Sequence, residues 1–242
     1  MARYSVVALG VVAALVCGRL GLWQLDRLGQ RRGLNAGVAA GLAQPAVSPE
    51  VVWGAAQGTA HDLDFRRARL AGRFDFEREV IVVGRTLGGV PGVHLVTPLV
   101  QAGGGGAAIL VERGWAGSPD GRSVNLTALH EPADAEVAGV LVVPRGGGAT
   151  HSEGWPIRVR AADPGFLGPR YPYPLVPLIL RRDSATAASL RPVPLPELTD
   201  GPHVSYAIQW FAFGTIALVG SVVLFRSSGR PGREPISDQQ IS

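Results

Sequence analysis

His203 is the residue of this chain best placed for chemistry. It lies in Gly201-Pro202-His203, just ahead of an uncharged apolar run of twenty residues, 206–225, where Pro202 can pre-set a first helical turn. On a helix continuing from it, His203, Tyr206 or Ala207, and Trp210 share a face at i, i+3/i+4 and i+7. A neutral imidazole at the lip of a bilayer, above aromatic and small residues, can act as an axial ligand for the iron of a haem lying between helices. The same residues also suit an ordinary interfacial aromatic belt, and spacing alone leaves both readings open.

Other catalytic or metal signatures are missing. There is no G-x-S-x-G elbow, no H-E-x-x-H, and no Walker loop, and the glycine clusters lack the Lys and Ser/Thr of a phosphate loop. His61, Asp62 and Asp64 read as a polar turn before a strand, because no further ligands follow at metal-site spacing. A single cysteine, Cys17, excludes a disulfide framework, and the lack of C-x-x-C-H excludes covalently attached c-type haem. The expectation is a protein that is not an enzyme.

Charge narrows the partners. The formal net charge is +4, made of +2 in residues 1–22, +1 in 23–203 and +1 in 204–242. Every cation is an arginine, which explains the sequence pI near 10.0 without a basic stripe to follow phosphates. Nucleic acid is therefore not expected as a partner.

Two apolar runs must position these residues. The first, 4–18, resumes after Arg19 as LGLWQL, so a helix over 5–23 is ~28 Å long and matches a bilayer core. Arg19 can snorkel and Trp23 fits the interfacial belt. Residues 25–42 could continue this helix. The second run, 206–225, is ~30 Å long and ends at Arg226. Arg226, Arg230 and Arg233 favour a cytoplasmic tail, so both termini are expected inside and the middle outside. Small residues repeat on both runs: Gly10, Ala14 and Gly18 by four, and Ala207, Gly214 and Ser221 by seven. Such ridges let helices approach closely, either with each other or with a partner subunit.

The middle reads as β-rich. Over 66–74, apolar or small residues at Ala68, Leu70, Gly72 and Phe74 alternate with Arg67, Arg69 and Arg73. Further strands are expected at 80–83, 94–99, 107–113, 136–143 and 176–181, with 103–106 as a hairpin loop. The fold expected is an α+β membrane protein with two transmembrane helices, N- and C-terminal, flanking one antiparallel β-rich extracytoplasmic domain. Its divisions are a cytoplasmic N-terminus 1–4, a first span 5–23, the outer domain 24–203, a second span 204–225 and a cytoplasmic tail 226–242.

The order of motifs resembles a known family. Gly21-Leu22-Trp23-Gln24-Leu25-Asp26-Arg27-Leu28 resembles the LGxWQxxRL motif of the SURF1 (Shy1-like) family. The strand holding Gly72 and Phe74, followed by Glu79 and Gly84-Arg85, is similar to that family's GxF…E…R stretch. Gly92 through Thr97-Pro98-Leu99, and Leu110-Val111-Glu112-Arg113-Gly114-Trp115, resemble its G…TPL and VxRGW motifs. Gly201-Pro202-His203-Val204-Ser205-Tyr206-Ala207-Ile208-Gln209-Trp210-Phe211 is similar to its GPHxxYAxQWF signature.

The resemblance implies an assembly factor for haem–copper cytochrome c oxidase in a bacterial-type plasma membrane, assisting delivery of haem a to subunit I. His203 is then the axial ligand of a non-covalent, transient haem a, with Tyr206 and Trp210 beside it. Trp23, Gln24, Arg27, Arg113, Gly114 and Trp115 become candidate contacts to subunit I or other assembly factors. The alternative is a membrane-anchored scaffold or sensor whose outer domain binds a partner or ligand and carries no haem.

Overall fold

The computed structural model describes residues 2–58, 60–103, 106–144, 146, 154–184 and 190–227. Its contacts divide into two units: Met1–Asn35 with Leu198–Ser242, and Ala36–Glu197.

The first unit is a helix pair. Helix α1 runs Ala2–Ala43 without a break, so the helix does continue past Trp23. At 1.5 Å per residue it is ~63 Å long. Both α1 and the last helix, α4 (His203–Ser227), are long and apolar enough to cross a membrane. Gly10, Ala14, Cys17, Gly21, Gln24, Leu28, Arg31 and Asn35 form a stripe of buried or half-buried positions on α1. Its answering stripe on α4 is His203, Ala207, Trp210, Gly214, Ala217 and Ser221. Both alternate steps of three and four, the spacing that keeps one face turned to a partner helix.

Close approach makes the glycines necessary. A Cβ on Gly10 would stand 1.6 Å from Ser221 Oγ, and one on Gly21 would lie 2.6 Å from the Phe211 ring. The expected spacing by four on α1 fails at Gly18, where an added Cβ meets nothing within 4 Å. A strict period of four drifts around a 3.6-residue turn, so Cys17 takes that place in the seam.

The second unit is a seven-stranded sheet: β1 (Arg67–Phe74), β2 (Val80–Leu87), β3 (Val90–Gln101), β4 (Ala108–Gly117), β5 (Asp134–Val142), β6 (Ile157–Val159) and β7 (Leu175–Arg182). Strand order is β1-β5-β7-β4-β3-β2-β6, and β1 also pairs with β3. That extra pairing, Gly72↔Gln101 to Phe74↔Leu99, closes β1, β5, β7, β4 and β3 into a ring, with β2 and β6 extending from β3. Closure needs Gly72, because a Cβ there would meet Val100 O at 2.4 Å.

Ala68, Leu70 and Phe74 of β1 face inward with Ile109, Val111, Val137, Leu178 and Leu180, and Trp53 of the short helix α2 (Pro49–Gly54) joins this core. Outward, Arg67, Arg69 and Arg73 pair with Asp183, Glu136 and Asp134. A second core on the other side of β4 gathers Val80, Val96, Leu110, Ile157 and Leu167, the last from α3 (Pro164–Leu167).

The expected antiparallel sheet is corrected to a mixed one. β2–β6 and β4–β7 are parallel, and the other pairings are antiparallel. Alternation along a strand fixes its buried face but not its neighbour's direction, which the connections decide. Of the expected 103–106 loop, residues 104 and 105 lie outside the described residues, as does the tail beyond Ser227, including Arg230 and Arg233.

The seam gives a direct test. A Cβ at Gly214 falls 3.3 Å from Cys17 Cβ, close to disulfide range. Gly214→Cys should form an intramolecular disulfide with Cys17 under mild oxidant, read as loss of free thiol and a mass 2 Da lower (two hydrogens, the definition of the bond). Two thiols that stay free in the folded protein would refute the pairing.

Candidate functional site

The α4 end of the helix pair collects several sequence-predicted residues. Thr199 O accepts from Arg31 Nε (3.2 Å) and Asn35 Nδ2 (3.0 Å), and Arg32 Nη2 pairs with Asp200 at 2.7 Å. These bonds tie the segment before α4 to α1. Gly201 then turns with φ +67°, a left-handed conformation that favours glycine, and α4 begins at His203.

The His203 ring is half-buried, with Nδ1 2.9 Å from Gln24 Oε1. An amide oxygen can only accept, so Nδ1–H donates, the arrangement that in a neutral ring leaves the lone pair on Nε2. A Cβ on Gly201 would stand 3.7 Å from Nε2, so the bare glycine leaves that edge uncovered. Arg27, Gln30, Arg31, Leu34, Gly201 and His203 line a cleft of about 280 Å³.

Trp210 is half-buried on the same seam and meets Phe213 edge-on at 6.1 Å. Of the two positions expected to share this face, Ala207 takes it and is 2% exposed, while Tyr206 stands beside the seam at 46%. Trp23 is also exposed. Gln24, Arg27 and His203 are thus brought together.

Arg113, Gly114 and Trp115 belong to the other unit. Between Leu95↔Gly114 and Val96↔Glu112 the register shifts, leaving Arg113 as the extra residue of a bulge. Its side chain is fully buried. Nη1 donates to Glu79 Oε1 (3.0 Å), Nε to Glu131 Oε1 (2.7 Å) and Nη2 to Leu129 O. Glu79 also accepts from Thr97 Oγ1 (2.7 Å) and lies 3.1 Å from His130 Nε2, while Arg182 Nη1 reaches both Glu131 oxygens at 2.8 Å. The guanidinium lies 5.1 Å from the centroid of Phe76, which stacks on His130 at 4.2 Å.

Trp115 is 5% exposed, with Arg191 over its ring and a two-way backbone bridge to Arg191. The expected docking role for Arg113, Gly114 and Trp115 finds no exposed side chain to carry it. Their enclosure makes them packing residues.

Glu112, beside Arg113, faces elsewhere: His94 Nδ1 at 2.7 Å and Arg181 Nε at 2.5 Å. Burial pushes its carboxyl up, but the His94 hydrogen bond and the Arg181 charge outweigh that and hold it below the usual carboxylate range.

Sequence reading missed Glu131, Arg182, His130 and the His94–Glu112–Arg181 chain. The available signal was charge at strand positions where apolar residues belong: Glu79 directly precedes an apolar run and the pair Glu112-Arg113 directly follows one. Of the polar turn, Asp64 Oδ1 accepts from Val143 N at 2.9 Å, and the His61 side chain lies outside the described residues. Among the described residues no group of three His, Cys, Asp or Glu is gathered as a metal site.

Comparison with known proteins gives a consistent answer. The SURF1 family profile matches residues 11–215. Uncharacterized SURF1-like proteins of Mycobacterium bovis and Mycobacterium tuberculosis are each 24% identical over 209 residues, covering 82% of this chain and 73% of theirs.

Two stability measurements test the buried charges. Arg113→Met leaves Glu79 and Glu131 buried without their shared cation and should destabilise the protein by ~3–5 kcal/mol in denaturant titrations, and Glu79→Gln added to it should recover part of that loss. Because Glu112 has a lowered folded-state pKa, its contribution is full above the ordinary carboxylate range and is lost as pH falls through and below it. Melting temperatures followed from pH 7 to pH 3 should therefore drop less steeply in Glu112→Gln than in the wild type.

Proposed function

Since the chain belongs to the SURF1 family, we propose that it is a non-enzymatic assembly factor for haem–copper cytochrome c oxidase. In this reading α1 and α4 span the plasma membrane, both termini are cytoplasmic and the β-unit lies outside. The protein holds haem a for delivery to subunit I while the β-unit contacts the oxidase or another assembly factor.

The observation that carries this reading is the Nδ1–H of His203 donated to Gln24. Metal-bound histidines characteristically donate their second ring nitrogen to an acceptor, which fixes tautomer and orientation and raises ligand basicity. Gln24 would then be a positioning residue, Nε2 would hold the iron, and Gly201 would keep its approach clear. The cleft is too small for a porphyrin; Trp210, half-buried on the same seam, would offer the ring an apolar surface. Haem a, when bound, supplies an iron with an open axial position. A single neutral imidazole and no covalent tether suit a cargo that must leave again.

The His203–Gln24 bond would also serve as a plain clasp between two helices, and this favours a second reading: a scaffold of the same pathway that carries no haem. Optical titration of the detergent-purified full chain with haem a separates them. A haem carrier shows a Soret shift that His203→Ala weakens at least ~10-fold in affinity and that Gln24→Leu weakens less. An unshifted spectrum, with oxidase subunits still co-purifying, selects the scaffold. Haem uptake indifferent to His203→Ala rejects the ligand assignment.

A further inference from the structure

Two buried N–H donors on one face of the sheet have no acceptor among the described residues: Nε of Arg85 on β2 and Nε1 of Trp115 on β4. Register brings them together. Arg85 stands opposite Gly92 of β3, and Trp115 opposite His94, two residues further along β3 and so on the same face. The indole leans across the bare Gly92, where a Cβ would meet Nε1 at 2.4 Å, toward the strand that carries Arg85. Arg85, Thr86, His94 and Trp115 line a cleft of about 260 Å³. Trp115 is 5% exposed, so its ring packs while its one polar atom stays unsatisfied. Two donors cannot satisfy each other, and a buried donor left unpaired is costly, so this wall calls for an acceptor.

Charge identifies the acceptor. The Arg85 guanidinium is held through Nη2, on Arg160 O at 2.6 Å, and among the described residues no carboxylate pairs with it. Glu112, bonded to His94, is itself matched by Arg181. Arg85 also lines a second cleft, of about 380 Å³, with Arg122 and Arg160. Among the described residues neither of those two exposed side chains has an acceptor. The acid in that lining, Asp120, turns Oδ1 to its own loop, accepting from Ser118 Oγ and from the N–H groups of Arg122 and Ser123. Three guanidinium groups and one carboxylate leave a net charge of +2 around Arg85. A phosphate dianion matches that charge, and its oxygens suit arginine's forked donors; a water molecule or a single carboxylate leaves charge over.

We propose that Arg85 and Trp115 bind a phosphate oxyanion, with Arg122 and Arg160 completing its charge; the site stands independently of the haem reading. The test titrates the full chain in detergent with inorganic phosphate, and in phosphatidylcholine nanodiscs with and without phosphatidic acid. Binding is followed by calorimetry and by the indole N–H resonances, among which Trp115→Phe assigns the one of interest. Phosphate should bind with a dissociation constant of about 1 mM or tighter and shift the Trp115 resonance. Arg85→Gln should weaken binding ~10-fold or more, and Trp115→Phe, which keeps an aromatic ring in place, ~3-fold. Arg122→Gln with Arg160→Gln, both exposed, should weaken it ~10-fold and carries the same test where Arg85→Gln fails to fold. Arginine-dependent uptake from solution identifies a free anion, and arginine-dependent binding confined to phosphatidic acid identifies a lipid headgroup; each supports the site. Phosphate binding that none of these variants weakens, acetate binding as tightly as phosphate, or binding of neither phosphate nor phosphatidic acid would overturn the proposal.

Discussion

Two helix backbones can touch only where side chains are absent or small, and the helix unit of this protein depends on that steric condition. Gly10, Gly21 and Gly214 meet Ser221, Phe211 and Cys17 at separations a Cβ could not share or could only just share. The resulting register is what sets Gln24 opposite His203. An imidazole at a helix start is otherwise free to rotate and to exchange tautomers. Packed in this seam, it has one nitrogen committed and the other presented.

The β-unit is held by a different device. A guanidinium as deeply buried as Arg113 is destabilising unless every donor finds an acceptor. Here two carboxylates and a carbonyl surround it, with Arg182 balancing the second carboxylate. The bulge at Arg113 turns the side chain inward, and Gly114 accommodates the backbone that follows. Ring closure through β1–β3 then encloses the aliphatic core. This network lends the unit a defined register, and Glu112, one residue away, ties β3 and β7 to β4 through His94 and Arg181.

In the proposed reading, the two units would divide the labour of a carrier. The proposed ligation would fall at one helix end, where Gln24, His203 and Trp210 lie on one seam. The β-unit offers charged outer faces, such as Arg67, Arg69 and Arg73 with their acidic partners, for surface contacts. Nothing in this arrangement calls for a thiol, which agrees with a chain whose lone cysteine serves as a seam residue.

The sequence by itself determined the two apolar helices, six of the seven strands (all but the three-residue β6) and the family, because hydrophobic periodicity and ordered motifs are local properties of a chain. It also singled out His203 and Trp210 by helical spacing. Tertiary structure alone decided the rest. Parallel pairing of β4 with β7 depends on how distant segments return. The burial of Arg113 and Trp115 depends on a bulge and on elements far away in the chain. The tautomer of His203 depends on Gln24, 179 positions earlier. Contacts of that range are fixed by packing and closure, and no periodicity in the chain encodes them.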